Sequence, residues 1–250
     1  MSSTMDIYEY LAQGGVLTSP DNVPSRYRGE LLRLMSSFVD SELAASAGFA
    51  ASINYAPSIQ ARIAASRITL EKAEHARKVL AVMSTFGTDS ARYEQQHDWA
   101  ARIGRNESLA DSQGQADMRL PVFYYPLQSW VDAVVMNVLQ GLAAQVQLAE
   151  LAQVSYTPFA ESIRAIQPGE KEHLEQGIEA LKDILHHSEH HAEVQDSFKY
   201  WQEKVAAGFS QAHPERYEML SKFGIRHQTN ERMLEQWTDR FTELKKTLNL

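Results

Sequence analysis

From Leu31 onward, apolar residues return every third or fourth position: Leu31, Met35, Phe38, then Ala45 and Phe49, with Glu42 on the step between them. A 4-3-4-3-4 rhythm of this kind predicts a helix packed in a bundle. Ala56-Pro57 ends that helix, and Ser58 is placed to cap a second whose seam runs Ala61, Ala65, Ile68, Lys72, His75, Val79, Val82 and closes near Gly87. A shorter, more polar helix is predicted over 89–104, and the Gly-, Ser-, Asn- and Asp-rich stretch 104–117 reads as a surface loop. The third long helix is predicted from Pro126 to about Val154; its apolar residues face most directions, which places it at the bundle centre. A fourth carries Ile163, Ile166, Glu170, His173, Gly177, Ala180 and Ile184 at 3-4 spacing, and Pro168-Gly169 is expected to kink or break it just before the glutamate. Two or three further helices fill 189–249, the last capped by Thr229 or Asn230 and closing with Leu234, Trp237, Phe241 and Leu244 on one side. Runs of alternating β-branched and aromatic residues are lacking. The fold class expected is all-α: a four-helix bundle over about 27–187 with additional C-terminal helices, as a single domain over 1–250.

Composition narrows the chemistry. The 250 residues contain no cysteine, which excludes disulfides, iron–sulfur clusters and thiol catalysis, so that any metal must be held by nitrogen and oxygen. A formal charge of −8 argues against nucleic acid or an anionic membrane surface as the main partner. The first residues show no basic region followed by an apolar core, and no later segment reads as a membrane span, so the expected location is cytoplasmic.

The seams have polar exceptions at mid-length. They are Glu42 on the first long helix, Lys72 and His75 on the second, and Glu170 and His173 on the fourth. Bundles that bind two metals through carboxylates use one Glu from each of two helices and a Glu-x-x-His from each of the other two. Residues 170–173, Glu-Lys-Glu-His, fit the second element; residues 71–75, Glu-Lys-Ala-Glu-His, put Lys72 where the carboxylate should stand. A lone buried histidine or glutamate is most often a satisfied core group. Three of four seams carrying ionisable residues at the same depth make a metal site, or its remnant, the better account.

These residues, together with Ser41, Ala56-Pro57-Ser58, Gly87, Tyr125-Pro126, Ser129-Trp130, Asp132, Gly141, Ser155-Tyr156, Pro158, Gln176-Gly177 and Glu179-Ala180, resemble the ferritin-like subunits of bacterial phenylacetyl-CoA ring epoxidase, most closely the catalytic subunit. Benzoyl-CoA epoxidase is a more distant likeness. The resemblance runs from about Ser41 to Ala180, with a weaker stretch around Thr229-Asn230-Glu231. It implies a ferritin-like bundle and a di-iron oxygenase site, but only in part. The family's first-helix glutamate falls on Glu42, its first Glu-x-x-His on Lys72 and His75, its third-helix aspartate on Gln140, and its second Glu-x-x-His on Glu170 and His173. Two acidic ligands of four are therefore replaced, and Asp132 matches a non-ligand position.

Charge decides what these substitutions imply. A buried pair of divalent ions needs about four carboxylates, and an uncompensated buried charge costs several kcal/mol. With Glu42 and Glu170 alone remaining, the Lys72 ammonium is expected to compensate them and to occupy the first metal's place. The expectation is a degenerate centre with no tightly bound cofactor, in a structural or regulatory subunit, or acyl-CoA binder, of aromatic acid catabolism that assembles with itself or with another ferritin-like subunit. The alternative is an active non-haem iron oxygenase, mono- or di-iron, acting on an aromatic or acyl-CoA substrate. A single ion held by Glu42, Glu170 and His173 beside neutral Gln140, or a distorted site that recruits Glu71, belongs to that alternative. Glu71, Glu74 and Glu172 are otherwise expected as surface or interfacial charges. The run His186–Glu193 could chelate a surface metal but reads as a solvated helix junction, and the aromatic group Phe123, Tyr124, Tyr125, Trp130 reads as core or interface.

Overall fold

A computed structural model describes residues 6–109, 117–209 and 214–250. The helices run α1 Ile7–Ala12, α2 Ser25–Ser52, α3 Ile59–Thr85, α4 Ser90–Glu94, α5 Trp130–Leu151, α6 Thr157–Leu185, α7 His191–Ala206, α8 Pro214–Lys222 and α9 Asn230–Leu248. No strand occurs among the described residues, apart from an isolated bridge between Leu17 and Tyr156. The fold is an all-α, ferritin-like bundle in which α2, α3, α5 and α6 are the long members. Its pairs α2/α3 and α5/α6 pack most closely, while α7 and α9 lie against α5.

Several helix starts follow from capping chemistry legible in the sequence. Ser58 Oγ accepts from Ala61 N at 3.1 Å, Ser129 Oγ from Asp132 N at 3.0 Å and Thr229 Oγ1 from Arg232 N at 3.2 Å. Gly87, at φ 91°, ends the turn after α3. The third long helix consequently begins at Trp130 and not near Pro126, because Pro121–Tyr124 forms a separate 3-10 turn. The helix expected over 89–104 shrinks to Ser90–Glu94. Side chains take its next carbonyls: Trp99 Nε1 donates to Glu94 O at 2.8 Å, and Arg102 donates to the carbonyls of Trp99, Ala101 and Ala44. Of the loop read over 104–117, residues 110–116 lie outside the described residues.

Of the kink or break expected at Pro168-Gly169, the break does not occur; α6 runs through it from Thr157 to Leu185. Proline removes the hydrogen bond to the Arg164 carbonyl, but Ile163, Ile166, Glu170 and His173, on both sides of it, are all buried. Packing of that common face outweighs the loss. Helix α5 is, by length and composition, apolar enough to cross a membrane, which the sequence reading did not anticipate; 78% of that stretch is buried inside the molecule. It is the bundle's central helix, as its all-round hydrophobicity predicts.

Two hydrophobic clusters fill the bundle. One takes Ala44, Ala45 and Phe49 from α2, Ile68 from α3, Leu174, Leu181 and Ile184 from α6, and most of α5, α7 and α9. The other takes Tyr27 to Val39 of α2, Ala76 to Met83 of α3 and Phe159 to Ile166 of α6. On all three helices the change from one cluster to the other falls at the polar exceptions, residues 40–42, 72–75 and 170–173. A buried polar layer therefore lies where the two apolar clusters meet.

Candidate functional site

Glu42, Lys72, His75, Glu170 and His173 are all buried, each 7% exposed or less. Helical spacing accounts for their meeting: residues three and four apart lie on one face, so Lys72 and His75 project together from α3, as do Glu170 and His173 from α6. Lys72 Nζ donates to Glu170 Oε1 at 2.8 Å, to Glu170 Oε2 at 2.7 Å and to Glu42 Oε1 at 3.1 Å. Its three protons thus have three acceptors. His75 Nδ1 lies 2.8 Å from Glu170 Oε1 and 3.3 Å from Glu42 Oε2, so each carboxylate bridges the lysine and the imidazole.

The electrostatics follow from that geometry. Burial alone would lower the pKa of Lys72, but the carboxylates of Glu170 and Glu42 outweigh it and hold the ammonium above lysine's ordinary range. Burial likewise works against charge on His75, yet hydrogen bonds to Glu170 and Glu42 raise its pKa to about 9. Glu170 would be pushed up by desolvation; the Lys72 ammonium and the neighbouring imidazoles keep it well below the usual carboxylate value. Two acids thus face two cations, and the layer is close to neutral without any further ion.

His173 departs from the expected arrangement. Its Nε2 meets Glu71 Oε2 at 2.5 Å, while its Nδ1 stands 3.7 Å from Glu170 Oε1 with no hydrogen-bond partner among the described residues. Glu71, expected as a solvated or interfacial carboxylate, is an interfacial one whose side chain is 28% exposed. The sequence puts it about 100° round α3 from Lys72, but only the position of α6 decides that this side meets an imidazole. Gly169 leaves room for the histidines here, since a methyl on it would lie 3.3 Å from His75 Nε2. Asn137, also unforeseen, donates from Nδ2 to the His173 carbonyl at 3.0 Å. Gly177 permits this approach, because a methyl there would come within 2.5 Å of Asn137 Nδ2.

Among the described residues, the group whose ligand atoms could hold an ion is Glu42, His75 and Glu170, all within 4.8 Å of one another. His75 thus takes the place that the single-ion reading gave to His173. These carboxylates are the same ones Lys72 binds. An iron pair does not fit this donor set, which offers two carboxylates and an ammonium between them. Gln140, the other substituted position, lines a cavity of about 380 Å³ with Glu42, Lys72 and Glu170. Leu34, Phe38, Leu148 and Leu151 supply much of the apolar wall, and Arg33, Arg216 and Arg226 line it as well. Phe123 lines it too, whereas Tyr124 and Tyr125 turn their hydroxyls to Asp117 and to the Glu107 carbonyl. Trp130 borders a different groove.

Asp132 is structural: it accepts from Arg105 Nη1 at 2.6 Å, Arg105 Nη2 at 3.0 Å, Trp201 Nε1 at 2.7 Å and Ser197 Oγ at 3.0 Å, tying α5 to α7. The histidines of 186–191 do not gather into a site. His187 and His190 stand 6.4 Å apart between ring centres, and His191 Nε2 lies 2.8 Å from the Leu185 carbonyl.

Comparison with known proteins agrees with the resemblance read between Ser41 and Ala180. Over 193 residues the chain is 25% identical to one of the subunits of 1,2-phenylacetyl-CoA epoxidase from Escherichia coli (strain K12), a match covering 76% of this chain and 58% of that protein. The chain therefore spans little more than half the length of this relative. A family model described as phenylacetic acid catabolic protein matches residues 5–250, nearly the whole chain. On that match, the chain belongs to the phenylacetic acid catabolic protein family.

Proposed function

We propose that this chain is a non-catalytic member of the phenylacetyl-CoA epoxidase family: a structural or regulatory subunit that holds an acyl-CoA thioester without oxidising it. The observation carrying this reading is the Lys72 ammonium, bonded at 2.7–3.1 Å to three carboxylate oxygens of the residues that would otherwise take iron. An amine there repels a metal cation and satisfies the acids that would have neutralised one. Gln140, uncharged, removes a further acid from the same cavity. The thioester comes from the name of the Escherichia coli relative. Support for it is the cavity itself, which apolar side chains line together with Lys72, Arg33, Arg216 and Arg226. Among the described residues, the hydrogen bond of the Arg226 guanidinium goes to the weak sulfur of Met233, at 3.8 Å, and the buried Glu150 carboxylate is its nearby counter-charge, so that it keeps N–H donors for an anionic group. The proposed setting is cytoplasmic, in an assembly with other subunits.

A second reading, a single-iron oxygenase, draws on one specific observation. His173 Nδ1 is buried beside Glu170 and has no partner among the described residues, and Glu42, His75 and Glu170 have ligand spacing. The two readings separate by metal analysis of protein purified without a histidine tag. The non-catalytic reading expects iron far below one equivalent after anaerobic loading with ferrous ion; stoichiometric iron bound by the wild type would overturn it. Lys72→Glu combined with Gln140→Asp restores the acid count, about four carboxylates with Glu42 and Glu170, and is expected to raise iron uptake severalfold. Failure to do so in a folded variant would count against the placement of Lys72 in the metal's position.

A further inference from the structure

Helix α3 carries a second apolar ridge that no part of the described chain covers. Ile59, Ile63, Leu70 and Ala73 stand on its outer side, with the small Ser66 on the step between Ile63 and Leu70, so that the five positions recur at 4-3-4-3 spacing. Ile59, Ile63 and Leu70 are 72%, 54% and 60% exposed. An exposed row of large aliphatic residues at this spacing is a helix-packing seam without a helix on it. The neighbouring outer face of α2 is equally unusual. Between Ser36 and Ile53 the ionisable residues are Asp40 and Glu42, and both are buried. There α2 offers the exposed Ala50 and Ala51 and the part-exposed Leu43 and Ala47, a shallow groove of mostly small side chains beside the α3 ridge.

We infer that the outer face of α2 and α3 is the docking surface for a second copy of this chain, related by a twofold axis running along the helices. A patch that holds both a ridge and a groove is complementary to itself, which is the requirement of an isologous interface. Shape selects the direction of the axis. Arg62, Arg67, Glu74 and Arg77 lie beside or at the end of the α3 ridge, and Arg67 reaches Glu172 of α6 at 3.5 Å. An axis perpendicular to the helices would lay the α3 ridge on its own copy and leave both α2 grooves unfilled. An axis along the helices instead lays each α3 on the partner's α2, whose outer face carries no charge between Ser36 and Ile53. The face is about 25 Å long and about 20 Å wide from helix length and spacing. That is a flat footprint of about 500 Å², which side-chain corrugation enlarges toward the roughly 800 Å² per partner of a standard interface.

The same axis fixes which residues meet. Rotation about it leaves axial height unchanged, so a residue of α3 faces the α2 residue that is level with it within one chain. Lys72 is level with Glu42, to which it is bonded, and Thr69 with Ser46, whose Oγ donates to its carbonyl at 2.8 Å. Counting along both helices brings Ile63 opposite Ala51 and places Leu70 between Leu43 and Ala47. The contact does not involve the lysine-filled centre and stands whether or not metal is bound there.

The test begins with sedimentation or light scattering of the full chain at micromolar concentration. The wild type is expected as a dimer or an even multiple of it, and Ile63→Glu with Leu70→Glu is expected to halve the mass while leaving circular dichroism unchanged, because both side chains are exposed. A monomeric wild type, or an assembly untouched by the double substitution, overturns the proposal. Because the chain has no cysteine, single-cysteine variants then test the geometry. Mixed and oxidised, Ala51→Cys and Ile63→Cys are expected to give an inter-chain disulfide. A disulfide formed by Ile63→Cys with itself, and not with Ala51→Cys, would overturn the direction of the axis.

Discussion

Lys72 is tolerated in the core because it never stands there alone. Removing an ammonium from water costs several kcal/mol, and two carboxylates at 2.7–3.1 Å offset that cost. His75 extends the argument to pH. Its folded pKa of about 9 lies above its ordinary 6.5. Its contribution to stability is therefore fully present below about pH 6.5 and is lost as pH rises through 9. Glu170 behaves oppositely: its depressed pKa contributes stability that is present above its ordinary 4.5 and lost on acidification. Denaturant titrations across this range are expected to show stability falling by about 1–3 kcal/mol on the alkaline side, from the His75 shift. In His75→Gln that slope should flatten. An identical slope in the variant would show that another group sets the alkaline limit. At this scale the sequence revealed the residues and not all of their partners: an ionisable side chain in an apolar seam is visible in one dimension, but the Glu71 bond to His173 depends on where α6 lies.

Helices α5 and α6 approach one another through glycine. At Gly177 a methyl would meet the Asn137 amide at 2.5 Å, and at Gly141 it would meet Leu174 Cβ at 3.1 Å. Gly177→Ala is expected to destabilise the protein by about 1–3 kcal/mol, as overpacking of a close contact does. Because the clash falls on the amide that bonds the His173 carbonyl, Asn137→Ala should recover part of the loss in the double variant. Strict additivity of the two, measured from denaturation midpoints, would mean that they do not share this contact. Element existence was legible from periodicity for the long helices, and Ser58 and Thr229 marked two starts in advance. Two expectations failed for a common reason: local propensity was overruled by contacts distant in sequence. Pro168 did not break α6 because the buried face continues across it, and 95–104 did not stay helical because Trp99 and Arg102 claimed carbonyls of their own and of α2.

On the scale of the whole molecule, the polar layer and the cavity above it are joint products of several elements. The cavity takes Phe38 and Glu42 from α2, Lys72 from α3, Gln140 from α5 and Glu170 from α6, and its lining also includes Arg216 of α8 and Arg226 of the connection before α9. Glu150, wholly buried in α5, accepts from the backbone N–H groups of His227 and Gln228 and so pins that connection to the bundle. Calorimetry with phenylacetyl-CoA is expected to show binding without turnover. Arg226→Ala is expected to weaken it about tenfold, the loss of one charge-assisted hydrogen bond. Binding unaffected by that substitution would move the anionic end of the ligand elsewhere.

The sequence by itself determined the all-α class, the four long helices and the depth at which each buries its ionisable residues, because helical periodicity and capping are local and repeat every turn. It also showed that positions 72 and 140 had lost the acids expected there by family resemblance. Only the tertiary structure decided that the Lys72 amine lies between Glu42 and Glu170, that His173 turns one nitrogen to Glu71, and that no other described residue covers the apolar face of α2 and α3. Those are relations between helices, set by how their faces pack and by which charges packing brings within a few ångströms, and no pattern along a single helix contains them.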